Sequence, residues 1–174
     1  MGTRGLLGFI IRGQRHAAYN HWDSYPDGLG KAIVEFILSL TPEEYATMAR
    51  LVAEITWVDL DSKPSPELQA HYQSLGFSDT GVSNQTLEDW YCLLRKMQGA
   101  AALPAIKSGK LKHMCESEFE GGDWMWAYYI DFENRMLETW DNEEDPLDKV
   151  SFEDLVKDGV EAYLARVNKP GEDE

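Results

Sequence analysis

A chain of 174 residues is long enough for one domain with a sizeable core, and 43% hydrophobic and 11% aromatic content excludes a disordered polymer. A formal net charge of −15 sets it against nonspecific binding to nucleic acid or to an anionic membrane surface. No apolar run approaches the roughly 20 residues that cross a bilayer, and the N-terminal apolar run is too short for a secretory leader, so a soluble, cytoplasmic protein is expected. Cys92 and Cys115 are not at metal or redox spacing and read as reduced thiols.

The first element reads as a hairpin. LLGFII at 6–11 is apolar and β-rich, RGQR at 12–15 supplies a glycine-bearing turn, and HAAYNHW at 16–22 returns. The turn YNHWDSYPDGLGK at 19–31 then leads into a helix, where Leu29, Ile33, Phe36, Ile37 and Leu40 recur at helical spacing. Thr41 caps the next helix, with Pro42 at its first position and Glu44 closing a capping box. Ser65 and Pro66 open a further short helix that Gly76 ends. NQTLEDWYCLLRKMQG at 84–99 reads as a helix closing at Gly99, followed by a small-residue, lysine-rich connection.

WMWAYYIDF at 124–132 and RMLETWD at 135–141 flank Glu133-Asn134 as a second hairpin. Strand alternation sends Trp124, Trp126 and Tyr128 to one face, and Met125, Ala127 and Tyr129 to the other. The last helix opens at Ser151, with Asp154 three residues on. Its stripe is Phe152, Leu155, Val156, Val160, Tyr163, Leu164 and Val167. Two hairpins with helices between and after them predict an α+β fold, a single antiparallel sheet built from an N-terminal and a C-terminal hairpin and covered by helices. One domain over 1–168 is expected, with an acidic flexible tail at 169–174.

The turn at 19–31 holds two tyrosines, His21, Trp22, two aspartates, Pro26 and two glycines. Pro26-Asp27-Gly28 is turn chemistry, and Gly28 and Gly30 leave amides free at a helix start, where partial positive charge gathers. His21, Asp23, Ser24 and Tyr25 cannot all enter a core. The stretch therefore reads either as the wall of a binding site or as a strand-to-helix turn plugged by a buried Trp22. Lys31 opposes the helix dipole and suggests an anion nearby.

Two segments carry a local excess of positive charge: Arg4, Arg12, Arg15 and Lys31 near the N-terminus, and Arg95, Lys96, Lys107, Lys110 and Lys112 in a stretch without acids. If they converge, they make an anion site in an acidic body. The expected ligand-binding set is Arg4, Arg12, His21, Trp22, Asp23, Tyr25, Lys31, Lys110 and Trp126, cations for a charged group and aromatics to stack a ring. A small anionic, nucleotide-like ligand meets both demands. No catalytic residue, metal or cofactor is expected. His16, His21, His71 and His113 are not at metal-ligand spacing, DNEEDPLD at 141–148 lacks the EF-hand order, and EGGDW at 120–124 has no helix signal after it. The oligomeric state is open, and a homo-oligomer is compatible with the sequence.

MGTRG at the N-terminus, followed by a strand pair and YNHWDSYPDGLG, resembles a family of small proteins found in fungi, bacteria and phages. The match covers the first 30 residues, with WAYYIDFENRMLETWD at 126–141 as a less specific second feature. This resemblance implies membership and no particular activity. A phage origin, which that distribution permits, would place the protein in the host cytoplasm and make a host immune nucleotide a sensible target for counter-defence. Gly2-Thr3 is similar, more weakly, to the processing point of N-terminal nucleophile hydrolases, whose threonine uses its own amine as base. That similarity implies a related sheet-and-helix fold and an amidohydrolase activity, with Lys31 as an activating amine. The favoured expectation is a non-enzymatic protein that sequesters its ligand. An amidohydrolase or an acidic protein-interaction or inhibitor module are the alternatives.

Overall fold

The computed structural model describes residues 4–82, 84–117, 124–141 and 145–168. In chain order the elements are β1 (Gly5–Ile11), β2 (Gln14–Asn20), a π-helical turn (Pro26–Gly30), α1 (Lys31–Leu38), α2 (Pro42–Ala53), β3 (Thr56–Val58) and α3 (Pro66–Ser74). They continue with α4 (Trp90–Leu93), 3-10 turns at Arg95–Met97 and Gly99–Ala101, α5 (Ala102–Lys107), β4 (His113–Cys115), β5 (Trp126–Asp131), β6 (Met136–Trp140), β7 (Asp148–Ser151) and α6 (Phe152–Val167).

Arg12 and Gly13 take φ of 50° and 79°, the pair of left-handed residues that a two-residue hairpin turn requires. Glycine reaches that region without steric cost. The turn sets β1 against β2 from Ile11 opposite Gln14 to Gly5 opposite Asn20. The second hairpin pairs β5 with β6, and β6 then pairs antiparallel with β7. The five strands lie in the order β2-β1-β5-β6-β7, so the two hairpins join through their first strands.

That seam is parallel, from Gly5 opposite Trp126 to Phe9 opposite Ile130. The helical connection returns the chain to the end of the sheet where β1 began, and a parallel pair needs such a crossover. The sheet is thus mostly antiparallel, packed on helices in an α+β fold.

Alternation divides each strand between two faces. Leu7, Phe9, Ile11, Tyr128, Ile130 and Leu137 meet Ile33, Ile37, Met48, Phe152, Leu155 and Tyr163 in the principal core. Full burial of each such side chain is worth about 1.5–3 kcal/mol. The opposite face carries a smaller cluster of Leu6, Ala17, Ala127, Tyr129 and Trp140 with Trp124. Arg15 lies on that face, paired with the buried Glu138 at 2.8 Å and placed over the Tyr129 and Trp140 rings.

Helix starts follow the capping chemistry. Thr41 and Glu44 form the reciprocal box, Ser65 accepts from Leu68 N, and Ser151 accepts from Asp154 N. Other expectations need correction. Residues 84–99 are not one helix. Thr86 holds Glu88 N through its hydroxyl and Asp89 N through its carbonyl, and such local bonds compete with helical ones. Asp89 then caps only the single turn of α4, and Gly99 begins a 3-10 turn rather than closing a helix. Trp124 packs on the face opposite Tyr128, because β5 begins only at Trp126 and alternation does not extend before it. Val156 is exposed, and the backbone of α6 leaves helical geometry at Gly159 (φ 85°, ψ 172°), which interrupts the stripe beyond it.

β3, β4, β7 and α5 were not anticipated. β3 and β4 form a separate parallel pair. It leans on the outer edge of β2, where Ser117 N donates to Ala17 O at 2.8 Å and Ala17 N to Glu116 Oε2 at 3.0 Å. An otherwise open sheet edge is thereby covered. Among the described residues no helix is long and apolar enough to cross a membrane.

Candidate functional site

The turn at 19–31 resolves into an inward and an outward half. Asn20 and Ser24 are buried. Asn20 Nδ2 donates to Trp22 O at 2.6 Å and to Ser24 Oγ at 2.8 Å, and the Tyr128 hydroxyl donates to Ser24 O at 2.7 Å. Asp23 sits at φ 52°, and its carbonyl accepts the Leu29 amide at 2.8 Å. Gly28 approaches so closely that a Cβ there would run into that same carbonyl oxygen. These residues build the turn on Tyr128. The outward half is His21, Trp22 and Tyr25. Trp22 is 50% exposed, so it is no core plug.

Beside this turn lies a cavity of about 360 Å³. The start of β1 gives it Leu6 and Leu7, and β2 gives Ala18 and Tyr19. The rest of its lining includes Trp90, Tyr91, Leu94 and Met97, and Leu111 with His113 to Ser117. α4 presents its aromatics inward because Asp89, accepting from Tyr91 N at 2.9 Å, fixes the start of that turn. A more open cleft adjoins the cavity, lined by His21, Trp22, Val82, Tyr91 and Arg95, and Tyr91 belongs to both spaces.

Polar groups around this double site are ordered. Tyr19 Oη lies 2.8 Å from His21 Nδ1, Gln98 Oε1 accepts the His21 amide at 3.1 Å, and the Trp22 ring meets His21 edge-on at 4.8 Å. The Arg95 guanidinium is 5.8 Å from the centre of the Tyr91 ring, and its buried Nε has no hydrogen-bond partner among the described residues. Burial raises the Tyr19 phenol, and the positive charges of Arg4 and Arg95 partly offset this.

Deeper in, Cys115 is pushed up to about 12 by burial and by the carboxylates of Asp89 and Asp59, so it stays a thiol and not a nucleophilic thiolate. Glu116 is occupied by His16 Nδ1 at 2.7 Å and by the Ala17 amide. The Tyr72 hydroxyl lies 2.6 Å from His113 Nδ1, and Trp90 stacks on the His113 ring at 5.6 Å.

No family model, curated protein or solved structure matches the chain.

Of the residues singled out in the sequence, His21 and Trp22 line the outer cleft, and Arg4 stands near Tyr19. The others are elsewhere. Arg12 is in the hairpin turn at the opposite end of β1, with its amide on Glu133 Oε1 at 2.8 Å. Seven strand residues separate it from Arg4, roughly 26 Å of extended chain. Asp23 and Tyr25 hold each other at 3.3 Å on the surface. Lys31 is exposed at the start of α1, Lys110 is exposed beyond the end of α5, and Trp126 is half-buried against the principal core. None of these six lines the cavity or the cleft.

Of the two basic groups, Arg95 is among the residues lining the cleft, and Arg4 and Arg95 both act electrostatically on Tyr19. Lys107 is held by Glu44 at 2.7 Å, and Arg15 by Glu138. Tyr91 and His113 are outside the set expected from the sequence, and Arg95 enters that reading only as one cation of the basic stretch. The available signals were the Trp90-Tyr91 pair and the acid-free stretch that Arg95 opens. Residues 1–3, and with them the Gly2-Thr3 bond, lie outside the described residues, as do 120–123 of EGGDW, 142–144 of DNEEDPLD and the tail 169–174.

Proposed function

We propose that the protein binds and sequesters a small organic anion, whose flat, largely apolar body fills the cavity and whose charged group rests in the cleft beside Arg95. The observation that carries this reading is that Tyr91 lines both the cavity and the cleft, which places the two spaces side by side. A volume of about 360 Å³ falls within the ~300–1,000 Å³ range of small-molecule sites. Trp90 and Tyr91 offer π-faces to a ring. Arg95 lines the cleft, and a guanidinium there can offer charge-assisted hydrogen bonds to a carboxylate or phosphate.

A nucleotide-like anion suits this arrangement with its base inward and its phosphate outward. For a phage-encoded chain, a host immune nucleotide would be such a ligand. Native mass spectrometry of protein purified from its own cells tests the reading. A one-to-one organic adduct is expected on the wild type, and Arg95→Ala should weaken retention at least about tenfold, or 1.4 kcal/mol. Adduct-free wild type that also takes up no nucleotide or aryl carboxylate from a panel would overturn it.

A further inference from the structure

The inner wall of the cavity carries one hydrogen-bond donor whose orientation the fold fixes. Tyr72 Oη accepts the Lys112 amide at 3.1 Å and lies 2.6 Å from His113 Nδ1. With its oxygen facing that amide, the phenol directs its own proton to Nδ1. This arrangement favours Nδ1 as the acceptor, with the proton of a neutral ring on Nε2. Burial, helped by the nearby charge of His71, lowers the His113 pKa and keeps the ring neutral. Trp90 stacks on one side of the ring and Tyr72 meets it at 83°, so it is clamped. Nε2 has no partner among the described residues, and His113 lines the cavity beside Leu111 and Met114.

We propose that His113 Nε2–H donates to a neutral acceptor on the buried end of the ligand, which makes the ligand a heteroaromatic anion. Its ring nitrogen or ring carbonyl points inward and its charged group points outward to Arg95. This rests on the cavity being the ligand site. A second anionic group could not take the inward position, because Glu116 is in the same wall and its carboxylate is already shared between His16 and the Ala17 amide. A cationic end would face a donor. A plain hydrocarbon ring would fill the space but leave the N–H without an acceptor, which is disfavoured in an apolar enclosure.

Biphenyl-4-carboxylate and 4-(4-pyridyl)benzoate have the same shape and differ only in a ring CH or N at the end remote from the carboxylate. They are titrated at a pH where the pyridine and His113 are both neutral. Wild type should bind the pyridyl probe at least about tenfold more tightly, and His113→Phe should reverse that order. The tautomer is read separately, from the imidazole nitrogen shifts of unliganded wild type, so the test does not depend on a variant folding. A proton on Nδ1, or equal affinity of wild type for the two probes, overturns the role of His113 and leaves the cavity reading standing. If neither probe binds, the cavity reading itself fails.

Discussion

Asp23 is conspicuous in the sequence, between Trp22 and Ser24, yet its chief contribution is conformational. It holds φ at 52°, and its carbonyl ties the turn to Leu29. Aspartate tolerates that left-handed conformation better than most residues, and glycine better still. Asp23→Gly should therefore leave stability nearly level. Asp23→Ala should cost about 1 kcal/mol, a fall in Tm of about 2–4 °C for a chain of this size. Neither should change ligand affinity, since Asp23 is not among the lining residues. Thermal melts with a parallel titration check this, and lost binding at unchanged Tm would return Asp23 to the site. His21 and Trp22 were legible because so many polar and aromatic residues in one turn cannot all be buried. Arg95 was not, because charge alone does not say which of several cations lies beside a cavity. Arg12 and Arg4 read alike in the sequence, and only the strand between them separates their roles.

At the scale of elements, what is encoded locally was legible. The capping box at Thr41 and the caps at Ser65 and Ser151 fall where the pattern places them, since each is settled within four residues. β3, β4 and β7 escaped notice because three or four residues are too few to show alternation. The π-helical turn depends on a close approach that no periodicity reports. Gly28→Ala would displace the Asp23 carbonyl from the Leu29 amide. A loss of about 1–3 kcal/mol is expected, with faster hydrogen exchange at the Leu29 amide. An unchanged melt together with an unchanged Leu29 exchange rate would show that the turn relaxes freely.

At the scale of the whole molecule, two features had no sequence signature. The parallel seam between β1 and β5 is set by a helical crossover of about a hundred residues, too long for local patterns to register. The cavity exists only where the first hairpin, the β3-β4 pair and α4 come together. Its apolar lining is scattered along the chain and reads, piece by piece, as ordinary core. Ala18 projects into that space from β2, and Ala18→Phe would fill much of it with a ring. Calorimetric titration of 4-(4-pyridyl)benzoate against wild type and Ala18→Phe, alongside their melting curves, tests the central claim most directly. One-to-one binding by the wild type, abolished in an Ala18→Phe protein that melts no lower than wild type, is the predicted result. Equal binding by the two proteins, or no binding by the wild type, would contradict it.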